Sequence, residues 1–359
     1  MAIQPTLVDG GAAASLKGRL LLGADLGKIP LLLLGAGVSH GTVPLFREIG
    51  TWFLEYFSGK PEFPDDLIAL SKSIAGAGTR RRDAAEFFVR MQAGTEASIT
   101  DAWEAFSNAF VLGQMKIGSV QYKGIYHASP TAAHREIAKM LFSRSALAVS
   151  LNFDGLTHQA LLKKGSAVSL HSHEELIQYF CSTSGDLLPA VIKIRGDVFF
   201  LKCINPSCPL SASPIPVERA KEFTTEDALS CPLCKSKTRL DISFPGDRVK
   251  EDLARPLLTA IAELYHSRIS AIILVGISGR WDEYLLRFIF DLAIDEGIPV
   301  VDCKPPDETS ELIDGFRQAH YREIPSFNGN NVAEAEGPAY YRIEEAADTF
   351  CTQLGGWME

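Results

Sequence analysis

Ile29-Pro30-Leu31-Leu32-Leu33-Leu34-Gly35-Ala36-Gly37-Val38-Ser39 is a strand-sized apolar run that ends in a tight glycine turn. A proline is tolerated where it stands because it occupies the start of the run, before ladder hydrogen bonds are needed. Glycines at such a turn permit positive φ and let a pyrophosphate approach the backbone, while a following helix start offers oriented N–H donors. Taken alone, the turn fits a plain tight connection as well as a nucleotide site.

Working outward, further short apolar runs stand at Ala146–Leu151, Ala190–Ile194, Ala271–Val275 and Pro299–Asp302, and Ser166–Leu170 can add another. Between the last two main runs, Leu285, Leu286, Phe288, Ile289 and Leu292 mark Trp281–Glu296 as an amphipathic helix, giving a βαβ unit whose crossover should be right-handed. The expected fold class is α/β, a Rossmann-like parallel sheet with helices on both faces. Residues 51–128 hold helical patterns (Trp52–Phe57, Ala84–Met91, Asp101–Val111) and no convincing strand, so they read as a helical insertion. Residues 203–234 carry cysteines among prolines and serines and read as a small loop-built module. The Rossmann-like domain then comprises 1–50, 129–202 and 235–359.

The cysteines narrow the chemistry. Cys203-x4-Cys208 and Cys231-x2-Cys234 are two close pairs separated by 22 residues. Two such pairs suit tetrahedral zinc, and a closed four-thiolate site leaves no open position for catalysis, so the zinc is expected to be structural. Cys181, Cys303 and Cys351 remain as simple buried thiols.

Across all 359 residues, 46% are hydrophobic and 22% charged, and the formal charge is −9. That average field repels a polyanion, which speaks against nucleic acid as a partner. The one dense basic run, Arg80-Arg81-Arg82, leads at once into Asp83 and Glu86 and reads as a solvated helix start. No apolar run approaches the ~18 residues of a membrane span, and no signal peptide is evident. Seven cysteines in so long a chain do not form a secreted disulfide framework, so a reducing cytoplasm is expected.

The glycine turn continues into Val43-Pro44-Leu45-Phe46-Arg47, and the whole stretch resembles the sirtuin signature Gly-Ala-Gly-Ile-Ser…Gly-Ile-Pro-Asp-Phe-Arg. Further segments fall in that family's order: Pro130-Thr131-Ala132-Ala133-His134, Asn152-Phe153-Asp154-Gly155-Leu156, the cysteine module, and Gly276-Ile277-Ser278. The resemblance implies an NAD or ADP-ribose site. It places Gly35, Ala36, Gly37 and Ser39 around the phosphates and ribose, Arg47 over the nicotinamide side, and Gly276 and Ser278 along the phosphate and adenosine side. Asn152 would face the nicotinamide ribose and Asp154 the carboxamide. Asp302 takes the place of the family's asparagine, where a carboxylate can accept from ribose hydroxyls or simply cap a strand end.

Three departures stand out. Where sirtuin deacylases carry a His-Gly pair with the general base, this chain reads Arg195-Gly196, and guanidinium has no acceptor with which to take a proton. Leu151 replaces the glutamine before Asn152, and Leu45 the aspartate before Phe-Arg. A competing register would make His171 or His173 the base, although it lacks the glycine. Lys193-Ile194-Arg195-Gly196-Asp197 otherwise resembles the sirtuin-like branch of prokaryotic NAD-consuming proteins. Three functions follow: cleavage of the nicotinamide glycosidic bond by hydrolysis or ADP-ribosyl transfer, a catalytically silent NAD or ADP-ribose module, or a lysine deacylase using an unaligned base such as His171. The acceptor stays open, as does a protein partner or homo-oligomer.

Overall fold

A computed structural model describes residues 10–76, 81–93, 96–111, 113–171, 173–181, 188–203, 205–211, 215–216, 231–236, 238–242, 259–261, 263, 266–277, 283–305, 313, 315, 322–323 and 339–358. The chain opens with α1 (Gly10–Asp25) and β1 (Ile29–Leu34), and the glycine turn follows as a short 3-10 helix at Ala36–Ser39. Four helices come next: α2 (Phe46–Phe57), α3 (Asp65–Ala75), α4 (Arg81–Ala93) and α5 (Ala97–Val111). A hairpin of β2 (Gln114–Ile117) and β3 (Val120–Lys123) closes that segment. The sheet then resumes with α6 (Ala132–Phe142), β4 (Leu147–Ser150), α7 (Leu156–Leu162), β5 (Val168–Leu170), α8 (His173–Cys181) and β6 (Ala190–Lys193). The cysteine region contributes β7 (Gly196–Cys203), β8 (Ile215–Pro216) and β9 (Thr238–Ile242). The last described elements are β10 (Ile269–Val275), α9 (Glu283–Asp295), β11 (Val300–Cys303), β12 (Arg322–Glu323), β13 (Ala339–Ile343) and α10 (Ala347–Met358).

Eight of these strands form one sheet in the order β12-β13-β11-β10-β1-β4-β6-β5, and every neighbouring pair is parallel. The four leucines of β1 explain its central place. Side chains alternate between the two faces of a strand, so a continuous apolar run suits a strand covered on both sides. Leu31 and Leu33 pack in the core that includes Leu286 and Phe290 of α9. Leu32 and Leu34 pack in the opposite core with Leu16 of α1, Ile137 of α6 and Phe350 of α10. The α/β class with helices on both faces is therefore observed. β12, β13 and α1 have no counterpart in the sequence reading.

The helical insertion has its own aromatic core, in which Phe53 meets Phe87 and Phe106 at ring-centroid distances of 4.9 Å each. It docks onto the sheet through Phe153, which follows β4 and lies 5.7 Å from Phe110 and 6.5 Å from Phe46. The expectation that this segment lacks strands is corrected by the β2–β3 hairpin. Four residues per strand is too short for a period-2 pattern to show in sequence, and Gly118 supplies the turn at φ +57°. The cysteine region is likewise not only loops. β7 pairs antiparallel with both β8 and β9, and Cys203 stands opposite Thr238 at its end.

At the carboxyl end of β11, Asp302 stands opposite Arg342 of β13. Asp302 is wholly buried, and its Oδ2 accepts from Tyr340 Oη at 2.9 Å and Arg342 Nη1 at 3.2 Å, with Lys304 Nζ 3.1 Å away. Here the carboxylate that the sequence offered to a ribose hydroxyl is the counter-charge of two buried cations joining neighbouring strands. Removing one partner of a buried ion pair leaves the other charge uncompensated, at a cost of about 3–5 kcal/mol. Asp302→Ala should therefore lower unfolding stability by an amount of that order, read from the shift of a urea midpoint, with Asp302→Asn less severe.

Candidate functional site

Two glycine turns interlock at the carboxyl ends of β1 and β10. Gly35 N donates to Val275 O at 2.9 Å and Gly37 N to Gly276 O at 3.0 Å. Gly276 holds φ +63°, which favours glycine. A Cβ on Gly37 would lie 2.6 Å from Gly276 Cα, and one on Gly276 would lie 2.5 Å from Gly37 Cα. The glycines are thus required first by the approach of backbone to backbone. The chain leaves β1 toward β4 on one side and reaches β10 on the other, so the turns sit where the strand order reverses. Open α/β sheets bind ligands in the crevice at that point. Ala36 is exposed and Gly37 half-buried on the lip of the crevice.

Ser39 lies behind the lip and is the centre of a buried polar network. Its Oγ donates to Asp154 Oδ2 at 2.8 Å and accepts from Asn152 Nδ2 at 3.2 Å. Asn152 Nδ2 also donates to Gly35 O at 2.9 Å, and Asp154 Oδ1 accepts from Leu156 N at 3.1 Å at the start of α7. The fourth member is His134, whose Nε2 is 3.3 Å from Ser39 Oγ. Thr131 N donates to His134 Nδ1 at 3.1 Å. An amide can only donate, so Nδ1 is the acceptor nitrogen and the neutral ring carries its proton on Nε2, directed at Ser39. Proton direction is then fixed along the chain Thr131, His134, Ser39, Asp154. Burial holds His134 down at about 4, against the smaller opposing pull of Asp154, and the ring is neutral at pH 7.

The site residues read from sequence are distributed unevenly. Gly35, Gly37, Ser39, Asn152, Asp154 and Gly276 come together, whereas Arg47 is exposed on the first turn of α2. Ser278 lies outside the described residues. Arg195 is half-buried at the bend between β6 and β7, where Gly196 takes φ +78°. His171 directly follows β5 at the edge of the sheet, with its ring 4.5 Å from that of Phe200. Leu151 turns into the sheet core with Leu31 and Ile192. Leu45 caps α2, its amide donating to Glu48 Oε2 at 2.6 Å. His134 was legible only as a helix start, since nothing in its sequence neighbourhood reveals a contact with Ser39, 95 residues away.

The four cysteines form a second constellation. Their Sγ atoms all lie within 4.8 Å of one another, with Cys203–Cys234 at 3.4 Å and Cys208–Cys231 at 3.7 Å. Disulfides would require about 2.05 Å. Tetrahedral zinc with bonds of about 2.3 Å sets its sulfurs roughly 3.8 Å apart, so the donor set fits the ion. Ser236 and its amide pull the Cys234 thiol down to about 6, toward the thiolate a metal takes, while burial pushes Cys203 up to about 12. The cluster can hold one metal ion with no open position.

Two measurements follow from this geometry. His134 titrates near 4 when folded against 6.5 ordinarily, so the unfolded chain binds the extra proton between those values. Stability from the neutral ring is full above pH 6.5 and declines as pH falls toward 4, by an amount of order 3 kcal/mol. His134→Gln should flatten that acid limb in a series of urea unfolding curves. The cysteine cluster should bind one zinc per chain by elemental analysis, and chelation should lower the thermal midpoint in wild type but not in Cys208→Ser/Cys231→Ser.

No family model matches the sequence, and no curated protein matches it at a significant level. Solved structures do. A Sir2 variant in complex with deacetylated p53 peptide and 3′-O-acetyl ADP-ribose superposes with TM-score 0.50 at 16% identity, covering 95% of this chain and 96% of that one. A triple variant described among Sir2 homologues, in complex with 2′-O-acetyl ADP-ribose, gives TM-score 0.50 at 16% identity over 94% and 95% of the two chains. The protein has the sirtuin fold, in a sequence that has diverged far from those structures.

Proposed function

We propose that this protein binds NAD in the crevice between the β1 and β10 turns and cleaves its nicotinamide glycosidic bond, passing the ADP-ribosyl group to water or another acceptor. The observation that carries the reading is the buried network that ties Asn152 to the glycine turn. Asn152 Nδ2 is fully engaged by Gly35 O and Ser39 Oγ, which leaves the amide oxygen as its only uncommitted group among the described residues. An oxygen held that rigidly at the lip can accept from a ribose hydroxyl and fix the anomeric carbon relative to an incoming acceptor. Each oxygen of Asp154 accepts one hydrogen bond from the protein, so it holds Ser39 and the loop, and its remaining lone pairs can accept from the carboxamide. That the Sir2 proteins of this fold were solved with acetyl ADP-ribose agrees with a dinucleotide in this crevice.

Bond cleavage needs placement more than a strong base. Nicotinamide departs as a neutral leaving group with the electrons of the glycosidic bond, the acceptor oxygen bonds to the anomeric carbon, and its proton passes to solvent. Arg195 is a fixed cation at the bend after β6 and suits a phosphate, carboxylate or ribose oxygen, but not proton abstraction. Losing a general base typically lowers a rate by about 10² to 10⁴, so slow turnover is consistent with arginine here, whereas deacylation needs the base for a later step.

Purified protein incubated with NAD alone should release nicotinamide, and Asn152→Ala should reduce the rate by roughly 10²-fold or more. Tight NAD binding with no product over hours would replace this reading with a silent binding module. Release that depends on an acyl-lysine peptide and vanishes in His171→Ala would replace it with a deacylase.

A further inference from the structure

The loop that carries Asn152 and Asp154 is held from two sides. Its side chains reach toward the glycine turn, as described. Three of its main-chain carbonyls in succession are taken by donors from the end of β6 and the start of β7. Lys193 Nζ donates to Asn152 O at 2.7 Å and also to Asp154 O, and Val198 N donates to Phe153 O at 2.9 Å. Lys193 is buried at 2% exposure, and its counter-charge is Asp197, 1% exposed, with Oδ2 3.6 Å from the ammonium. Asp197 is anchored in turn, its Oδ1 accepting from Phe199 N at 2.9 Å. Burial pushes the Asp197 carboxyl up, and Lys193 opposes that shift.

A buried ion pair is a poor source of net stability, because desolvating two charges offsets their attraction. β6 is otherwise apolar, Ala190-Val191-Ile192, and a fourth apolar residue would extend it at less expense of solvation. What distinguishes a lysine there is its set of donors. We propose that Lys193 is a positioning residue: its ammonium clamps the Asn152–Asp154 loop by the main chain, with Asp197 as its buried counter-charge. The clamp fixes the backbone, and the Ser39 network then fixes the two side chains that the crevice uses. The same segment carries Arg195, two residues beyond Lys193, so the clamp also ties the arginine bend to the Asn152 loop.

The role of the clamp in ligand binding rests on the NAD reading above, but the clamp itself does not, and its test separates the two. Amide hydrogen exchange is followed by mass spectrometry in wild type, Lys193→Arg, Lys193→Met and Lys193→Met/Asp197→Asn. The double variant leaves no charge unpaired and is the version expected to fold. Exchange in peptides spanning 150–158 should rise about tenfold or more in the methionine variants, the change expected from losing charged hydrogen bonds, while peptides from β1 and β10 keep wild-type protection. Lys193→Arg should restore much of the loss. NAD affinity by calorimetry should fall in the double variant by a comparable factor. Wild-type protection of 150–158 in the folded double variant, or a rise spread evenly over the whole sheet, would overturn the clamp. A wild-type protein that shows the exchange pattern but binds no NAD would instead sink the ligand reading and leave the clamp standing.

Discussion

Backbone meets backbone at Gly37 and Gly276, and most of the upper end of the sheet is arranged around that approach. Neither residue can carry a Cβ without striking the other's Cα. Because the two turns interlock, the chain after β1 cannot continue straight and instead folds into the short 3-10 helix that delivers Ser39 beneath the crevice. Ser39 in turn reaches three different elements: the loop after β4 through Asn152 and Asp154, the start of α6 through His134, and its own turn through the Asn152 bond to Gly35. A steric constraint at one pair of glycines is thereby converted into hydrogen-bonded geometry across three connections.

The electrostatics of that region are economical in charge. His134 is neutral, Ser39 and Asn152 are polar without charge, and Asp154 has both oxygens supplied with donors. Lys193 and Asp197 balance one another underneath. In a low-dielectric interior an unpaired charge would be expensive, and a hydrogen-bonded network with its charges paired instead specifies one arrangement. Arg195 lies half-buried at the β6–β7 bend. Fixed guanidinium at that place favours binding an anionic or carbonyl group over accepting a proton, which is why the chemistry is read as bond cleavage directed by position.

How much of this was legible in the sequence depended on whether the cause was local. The leucines of β1 and the glycines after them announce a doubly covered strand and its turn, and both appear in place. The four cysteines announce their cluster because metal geometry demands short, paired spacings. Asn152 and Asp154 could be singled out, but their orientation could not. That Asp154 has both oxygens engaged within the protein follows from Ser39 and Leu156, and only the first contact spans the chain, over 115 residues. Asp302 shows the limit from the other side. Its place at a strand end allowed either a ribose contact or a strand-end cap, and its Oδ2 is engaged by Tyr340 and Arg342, which arrive on β13, a strand that its Ala-Tyr-Tyr-Arg-Ile sequence did not announce. The β2–β3 hairpin escaped for a simpler reason, since four-residue strands carry too few residues to display a period.

Leu45, Leu151 and Arg195 stand apart from the contacts that hold the crevice. Leu151 packs with Leu31 and Ile192, Leu45 caps α2 through its backbone, and Arg195 occupies a bend whose shape is set by Gly196 at positive φ. None of the three takes part in the glycine interlock or donates to the Ser39 network. The turns, the Asn152 loop and its Lys193 support are thus held independently of these three side chains. A fold retained at 16% identity is intelligible on those terms, since the features that build the crevice are few, steric and largely main-chain.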